Sequence, residues 1–180
     1  EKNNVSPRGE KTKELINHTI KIKNPELSIL TNKHRKTSAK YLQAEINWYL
    51  SGELKIDKIK NYASMWEKIK NPDNTVNSNY GYFTFYQSIK YNKNIINQFK
   101  FCLIKLLEDL ETRQAVINFN QPFHKYKNNK DFVCTLSQQF LIRNNKLHSI
   151  VNMRSCDIIY GATYDIPWFC LVQKLMLNKI

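Results

Sequence analysis

Phe132–Leu171 reads FVCTLSQQFLIRNNKLHSIVNMRSCDIIYGATYDIPWFCL. Its punctuation decides the architecture. Phe132–Arg143 and Lys146–Met153 are rich in β-branched and aromatic residues, as strands are. The RNNK stretch between them holds two asparagines, which tolerate φ > 0, so the runs close as a β-hairpin. That pairing sets Arg154, twenty residues after Cys134, roughly opposite it on the neighbouring strand. After a Gly161 turn, YDIPWFCLVQKLMLNKI (Tyr164–Ile180) reads as a helix entered through Pro167.

The same stretch carries candidate chemistry. Cys134 reads either as a core thiol or as a nucleophile. The second reading needs a positive neighbour to favour the thiolate, and Arg154 is in place for it. Arg154 and Ser155 together offer forked donors and a hydroxyl, a suitable grip for phosphate. Asp157 and Asp165 lie eight residues apart around the glycine turn. Read alone, either could be a turn or cap residue, Asp165 as the N-cap of the last helix.

Working outward, RQAVINF (Arg113–Phe119) adds a third strand, and NKNIINQFKFCLIKLLEDLET (Asn92–Thr112) has the strongest helical periodicity in the chain. NPDNTVNSNYG (Asn71–Gly81) reads as a loop, and IDKIKNYASMWEKIK (Ile56–Lys70) as a helix. TSAKYLQAEINWYLSG (Thr37–Gly52) reads as another helix, stopped by Gly52. INHTIKIKNPELSIL (Ile16–Leu30) alternates like a strand up to Asn24-Pro25, and residues 1–13 read as a basic extended arm. No repeat or linker interrupts the 180 residues, so one α/β (α+β) domain over 1–180 is expected, with helices packed on a mixed or antiparallel sheet.

Ten tyrosines and nine phenylalanines argue for a packed globule. The net charge of +13 admits anionic ligands or a polyanionic partner. The lysines are dispersed among asparagines, however, which favours a solvated surface over a nucleic-acid groove. Cys102, Cys134, Cys156 and Cys170 lack zinc spacing and suit a reducing compartment. His18, His34, His124 and His148 show no metal spacing and read as surface or structural residues. No apolar run reaches the roughly 18 residues of a membrane span. The charged start EKNNVSPRGEKTK has no signal-peptide character, so no membrane role and a cytoplasmic location are expected.

The stretch from Cys134 to Asp165 resembles the thymidylate synthase family, which includes the pyrimidine hydroxymethylases. The cysteine strand, the turn, the strand ending in Arg-Ser-Cys-Asp, a glycine and then an amide or acid follow in family order and at family spacing. The resemblance extends upstream. AEINWYLSG looks like the helix of the catalytic glutamate, here Glu45, and YASMWEKI offers the active-site tryptophan, Trp66. NYGYF supplies Tyr80 and Gly81, while TRQAV resembles the strand whose arginine reaches a partner subunit's site, here Arg113. SPRG resembles the phosphate-binding loop, giving Arg8. Val133-Cys134-Thr135 stands where the family has Pro-Cys-His, Gln114 where a second arginine is usual, and Met153 where the synthases have glutamine. The family normally continues past this length, so its C-terminal portion is expected to be missing here.

The resemblance implies thiolate addition by Cys134 at C6 of a pyrimidine nucleoside monophosphate, with 5,10-methylenetetrahydrofolate supplying the one-carbon unit. Glu45 would manage water and proton transfers, and Arg8, Arg154, Ser155 and Arg113 from a second copy of a homodimer would hold the phosphate. Asp157 would meet the pyrimidine or the pterin, with Tyr80 and Trp66 completing the site. Synthases acting on dUMP carry asparagine where Asp165 stands. A carboxylate instead accepts from cytosine N4, and satisfies N3 if either partner is protonated. The resemblance therefore implies the dCMP (or CMP) hydroxymethylase branch, in which water rather than hydride resolves the product. Methylation of dUMP and a non-catalytic subunit of a larger assembly are the alternatives. Branch and composition together point to a phage or large virus, and so to a host cytoplasm.

Overall fold

The computed structural model describes residues 2–29 and 36–180. The decisive hairpin forms as read. Thr135–Arg143 pairs antiparallel with Lys146–Met153, and Asn144 and Asn145 take φ of 52° and 55° in the turn. Val116–Asn118 pairs on the other edge of Thr135–Arg143, giving an antiparallel three-stranded sheet. One face of this sheet carries Ile117, Gln138, Phe140, Ser149 and Val151 and turns toward the core. The other face leaves Ile150 and His148 exposed.

The amino-terminal region departs from the expected arm and strand. Lys2–Val5 (β1) and Thr12–Leu15 (β2) form a hairpin around a 3-10 turn at Pro7–Gly9. Residues 16–24 form no strand: all are exposed, so their alternation has no buried face to serve. A 3-10 turn follows at Pro25–Leu27. The last residue of that expectation, Leu30, and His34 lie outside the described residues.

Ala39–Ser51 (α1) is helical as expected. Ser38 caps it by accepting from Tyr41 N at 3.1 Å, and Gly52 ends it with φ of 66°. The expected helix over 56–70 is broken into a 3-10 turn at Ile59–Asn61 and the short Met65–Ile69 (α2). Its start is held instead by a bridge between Lys55 and Thr75 and by Ile56 N donating to Asn74 O at 3.1 Å. Burial of Ile56, Ile59 and Trp66 anchors the broken segment. Asn71–Gly81 is a loop up to its last residues, where a wide helical turn over Tyr82–Tyr86 begins, with Gln87 N donating to Tyr82 O.

The expected helix over 92–112 also needs correction at its start. Ser88–Tyr91 (β3) and Asn94–Asn97 (β4) form a hairpin that periodicity did not reveal. Asn92 turns it at φ of 54°. Only Gln98–Glu108 (α3) is helical, and Asn97 both ends the strand and caps the helix by accepting from Lys100 N at 2.8 Å. Val116–Asn118 (β5), Thr135–Arg143 (β6) and Lys146–Met153 (β7) then make the sheet. Ala162–Leu177 (α4) starts earlier than expected, so Pro167 lies within it and Asp165 sits in its first turn rather than at its N-cap, which is Gly161.

Between sheet and helices lies an aromatic core. Tyr49 meets Trp168 at 4.9 Å, Tyr80 meets Phe119 at 5.3 Å, and Tyr80 meets Phe169 at 5.4 Å between ring centroids. Gly81 lets the Tyr80 segment press on α1: a Cβ there would sit 1.7 Å from Tyr49 O, inside its van der Waals surface. This close approach sets Tyr80 against the helix of Glu45.

Candidate active site

Cys134 lies immediately before β6 and Arg154 immediately after β7. Arg154 N–H donates to Cys134 O at 2.9 Å, which extends the ladder by one step. The guanidinium then turns back over the segment ahead of the cysteine. Its Nε donates to Val133 O at 3.0 Å, its Nη2 donates to Phe132 O, and the group lies 5.2 Å from the Phe132 ring centroid. Nη2 also reaches Cys134 Sγ at 3.5 Å. The positive charge is thus placed to stabilise negative charge on that sulfur, as the strand pairing implied.

The buried phenol of Tyr80 lies within electrostatic reach of both Asp165 and Cys134. Burial first, then Asp165, pushes the Tyr80 hydroxyl well above its ordinary range. Asp165 is half-buried, and its carboxyl is pushed up to about 8 by desolvation and then by the charge of Glu45. The turn that delivers it is built by Asp157. Asp157 Oδ1 accepts from Ile159 N at 2.8 Å and Tyr160 N at 2.7 Å, and its carbonyl accepts from Gly161 N and Ala162 N. A Cβ at Gly161 would lie 3.2 Å from Asp165 Oδ2 and 3.3 Å from Asp157 O, so the turn folds the two residues together.

Glu45 comes from the buried side of α1, only 5% exposed. Tyr41 and Tyr49, one turn to either side, donate to its Oε1 at 2.6 Å and 3.4 Å. Desolvation outweighs these bonds and pushes the carboxyl up to about 7. Trp66 is buried, meets Trp48 edge-on at 4.8 Å between ring centroids, and reaches Glu45 through Tyr41, to which its Nε1 donates at 3.1 Å.

These two raised carboxyls give a stability prediction. Each binds its proton more tightly folded than unfolded. Its contribution is therefore fully present below the ordinary carboxylate range and is lost as pH rises toward the folded value. The window is 4.5 to about 7 for Glu45 and 3.8 to about 8 for Asp165. Glu45→Gln is expected to be more stable than the wild type at pH 9 by about 3 kcal/mol, with the difference vanishing near pH 4. Urea unfolding across that range measures it. A difference constant with pH defeats the assignment.

The remaining expected residues are Ser155, Arg113 and Arg8. Ser155 is exposed beyond the end of β7. Arg113 is exposed ahead of β5, level with the far end of β6, about 25 Å along the strand from Cys134 by the rise of roughly 3.3 Å per residue. Its own chain's Cys134 is out of its reach. Arg8 rides on the Pro7–Gly9 turn of the amino-terminal hairpin.

Sequence reasoning missed two groups. Tyr41 and Tyr49 were legible as the i−4 and i+4 neighbours of Glu45. Asp131 was not: a buried carboxylate, 6% exposed, it accepts from Asn77 N at 2.6 Å and Ser78 N at 2.8 Å. It thereby stitches the loop leading to Tyr80 onto the segment leading to Cys134. Burial pushes it up, and the hydrogen bonds from Ser78 and Asn77, then the charge of Arg154, partly offset that.

A thiol beside a guanidinium, a buried phenol and two carboxyls held high by desolvation are the groups the fold offers as a candidate site for covalent chemistry. The thymidylate synthase family model matches residues 1–180. The chain is 30% identical over 145 residues to the deoxycytidylate 5-hydroxymethyltransferase of Enterobacteria phage T4, covering 78% of this chain and 55% of that protein. It is 28% identical over 164 residues to the deoxyuridylate hydroxymethyltransferase of Bacillus phage SP01, covering 88% of this chain and 43% of the relative. Its fold superposes on the thermostable thymidylate synthase A from Bacillus subtilis with a TM-score of 0.63 at 18% identity, over 80% of this chain and 52% of that one. The chain belongs to the thymidylate synthase family, and its phage relatives support the hydroxymethylase branch. It spans about half the length of these relatives. Among the described residues no helix is long and apolar enough to cross a membrane.

Proposed function

We propose that this chain carries the active site of a folate-dependent transferase that hydroxymethylates C5 of dCMP (or CMP) through a Cys134–C6 adduct. The observation that carries the reading is the Cys134 Sγ held 3.5 Å from Arg154, with Tyr80 electrostatically coupled to both Cys134 and an Asp165 carboxyl pushed up to about 8. Attack by Sγ forms the S–C6 bond and moves the C5=C6 electron pair onto C5, which becomes the nucleophile. The last step expels the thiolate and restores the double bond. Glu45, poised near neutrality at about 7, can take and return protons at the ring and at the attacking water.

Arg154 and Ser155 stand at the open end of β7, where a phosphate would meet them, and the family resemblance adds Arg8 as a further donor. Arg113 lies too far from its own Cys134, which supports a homodimer in which it serves a second copy's phosphate. The sheet face bearing exposed Ile150 and half-buried Leu141 is free for such a second copy.

The residues after Asp157 fit 5,10-methylenetetrahydrofolate. Ile158, Ile159 and Tyr160 are 57%, 43% and 67% exposed, an apolar surface for a flat ring next to a carboxylate. When bound, that group supplies the one-carbon unit. Asp157 and this surface would hold it, and Trp66, being buried, would act only through Tyr41.

The test is turnover by the full chain with C5-tritiated dCMP and methylenetetrahydrofolate. Tritium release with a 5-hydroxymethyl product and no dihydrofolate is expected. Dihydrofolate formation from dUMP points instead to methylation. No nucleotide binding, together with salt-steep RNA binding, points to a non-catalytic subunit. A cytoplasmic location follows the reading of free thiols.

A further inference from the structure

Glu45 is held by a chain of donors whose direction is fixed from one end. Trp66 Nε1 bears a hydrogen and no lone pair, so it can only donate. Its partner at 3.1 Å is the Tyr41 hydroxyl, which must therefore accept. The single hydroxyl hydrogen of Tyr41 is then left for Glu45 Oε1 at 2.6 Å. Tyr49 donates to the same oxygen at 3.4 Å. Oε1 thus receives two phenolic hydrogens and has no room to carry a proton of its own. Among the described residues no donor reaches Oε2.

We propose that Tyr41, polarised by Trp66, is a positioning residue that confines the exchangeable proton of Glu45 to Oε2. This rests on reading Glu45 as the proton-transfer carboxyl. The buried phenol does more than fill space: it decides which carboxyl oxygen works as acid and base, and so which face of the pocket receives the proton. It also tempers the effect of burial, since a hydrogen bond to the charged form favours that form. The pocket wall helps to keep Tyr41 in place. Its ring meets Tyr164 edge-on at 4.7 Å between centroids, and Tyr164 Oη accepts from Ser38 N at 3.2 Å. The charged and titratable groups around this chain are Tyr49 from α1, Tyr80 from the turn ahead of Tyr82–Tyr86, and Asp165 and Tyr164 from α4.

The experiment is a carboxyl carbon-13 NMR titration of Glu45 in the full chain, assigned with Glu45→Gln, which needs no substrate and no turnover. In Tyr41→Phe the Glu45 midpoint is expected to move up by about one pH unit or more, through loss of a short bond to the charged form. Tyr49→Phe, losing a longer bond, is expected to move it up by less. Trp66→Phe, which leaves the Tyr41 hydroxyl free to turn, is also expected to move it up by less. An unchanged midpoint in Tyr41→Phe overturns the proposal, as does a larger shift in Tyr49→Phe. Should Tyr41→Phe fail to fold, the Trp66→Phe titration decides alone: an upward shift supports the proposal and none overturns it. If turnover is present, Tyr41→Phe should lower kcat and move its pH profile with the titration, leaving the nucleotide KM within about twofold. A chain that never turns over defeats the proposed function but leaves the titration result standing.

Discussion

Replacing Cys134 with alanine is expected to lower tritium release from C5 of dCMP by about four orders of magnitude or more, while dCMP binding changes by no more than about threefold. The asymmetry follows from what the thiol does. C5 of a pyrimidine is too weak a nucleophile until a bond at C6 returns the ring electrons to it, and Cys134 is the thiol that the Arg154 guanidinium contacts. Binding, by contrast, is carried by the phosphate and by the base edge, which Cys134 does not touch in the proposed pose. Serine at this position retains a lone pair but has no comparable anion at neutral pH, so it should behave like alanine. The one rival is Cys156, exposed two residues beyond Arg154 and electrostatically coupled to Cys134. Burial, then Asp165 and Asp157, pushes that thiol up, away from the thiolate. Cys156→Ala should therefore retain most of the rate. If Cys134→Ala keeps more than about a hundredth of the wild-type rate, the covalent assignment is wrong.

Much of this site was legible because its signals are local. The hairpin announces itself through Asn144 and Asn145, and hairpin geometry alone brings Arg154 to Cys134. The Glu45 helix carries its own cap and stop, Ser38 and Gly52. What failed were segments in which tertiary packing overrode periodicity. Asn94–Asn97 continues the apolar pattern of the helix behind it, yet pairs as a strand because Asn92 turns the chain and Asn97 caps the next helix. Ile16–Asn24 alternates like a strand, but no layer covers it. Asp131 could not be found from sequence, since its partners Asn77 and Ser78 lie more than fifty residues away. Nor could the role of Trp66 as a support behind Tyr41, since nothing in YASMWEKI states which way the indole points.

Asp165→Asn is expected to shift the kcat/KM preference for dCMP over dUMP by about a hundredfold toward dUMP, and the reason lies in one proton. An amide offers one acceptor and one donor, and by turning over it pairs two neutral bonds with cytosine N4–H and N3 or with uracil O4 and N3–H. Asparagine is therefore nearly indifferent between the bases. The Asp165 carboxyl, pushed up to about 8, carries at neutral pH a proton that cytosine N3 can share, and the carboxylate so formed accepts from N4. Uracil O4 is too weak a base to take that proton. Only cytosine thus converts the pair into charge-assisted bonds, which are roughly twice as strong as neutral ones. A gain of about 2–3 kcal/mol corresponds to the hundredfold expected. The sign with pH follows. Below about 8 the free acid already holds the proton and dCMP affinity is flat. Above it, each pH unit should weaken wild-type dCMP binding by about tenfold, with proton uptake on binding. In Asp165→Asn both the slope and the uptake should disappear. Calorimetry in two buffers of different ionisation enthalpy, with dCMP and dUMP at pH 7 and 9, reads all of this at once. A wild type that binds dCMP without taking up a proton at pH 9, or a variant that keeps its preference for dCMP, would show that Asp165 does not read the base.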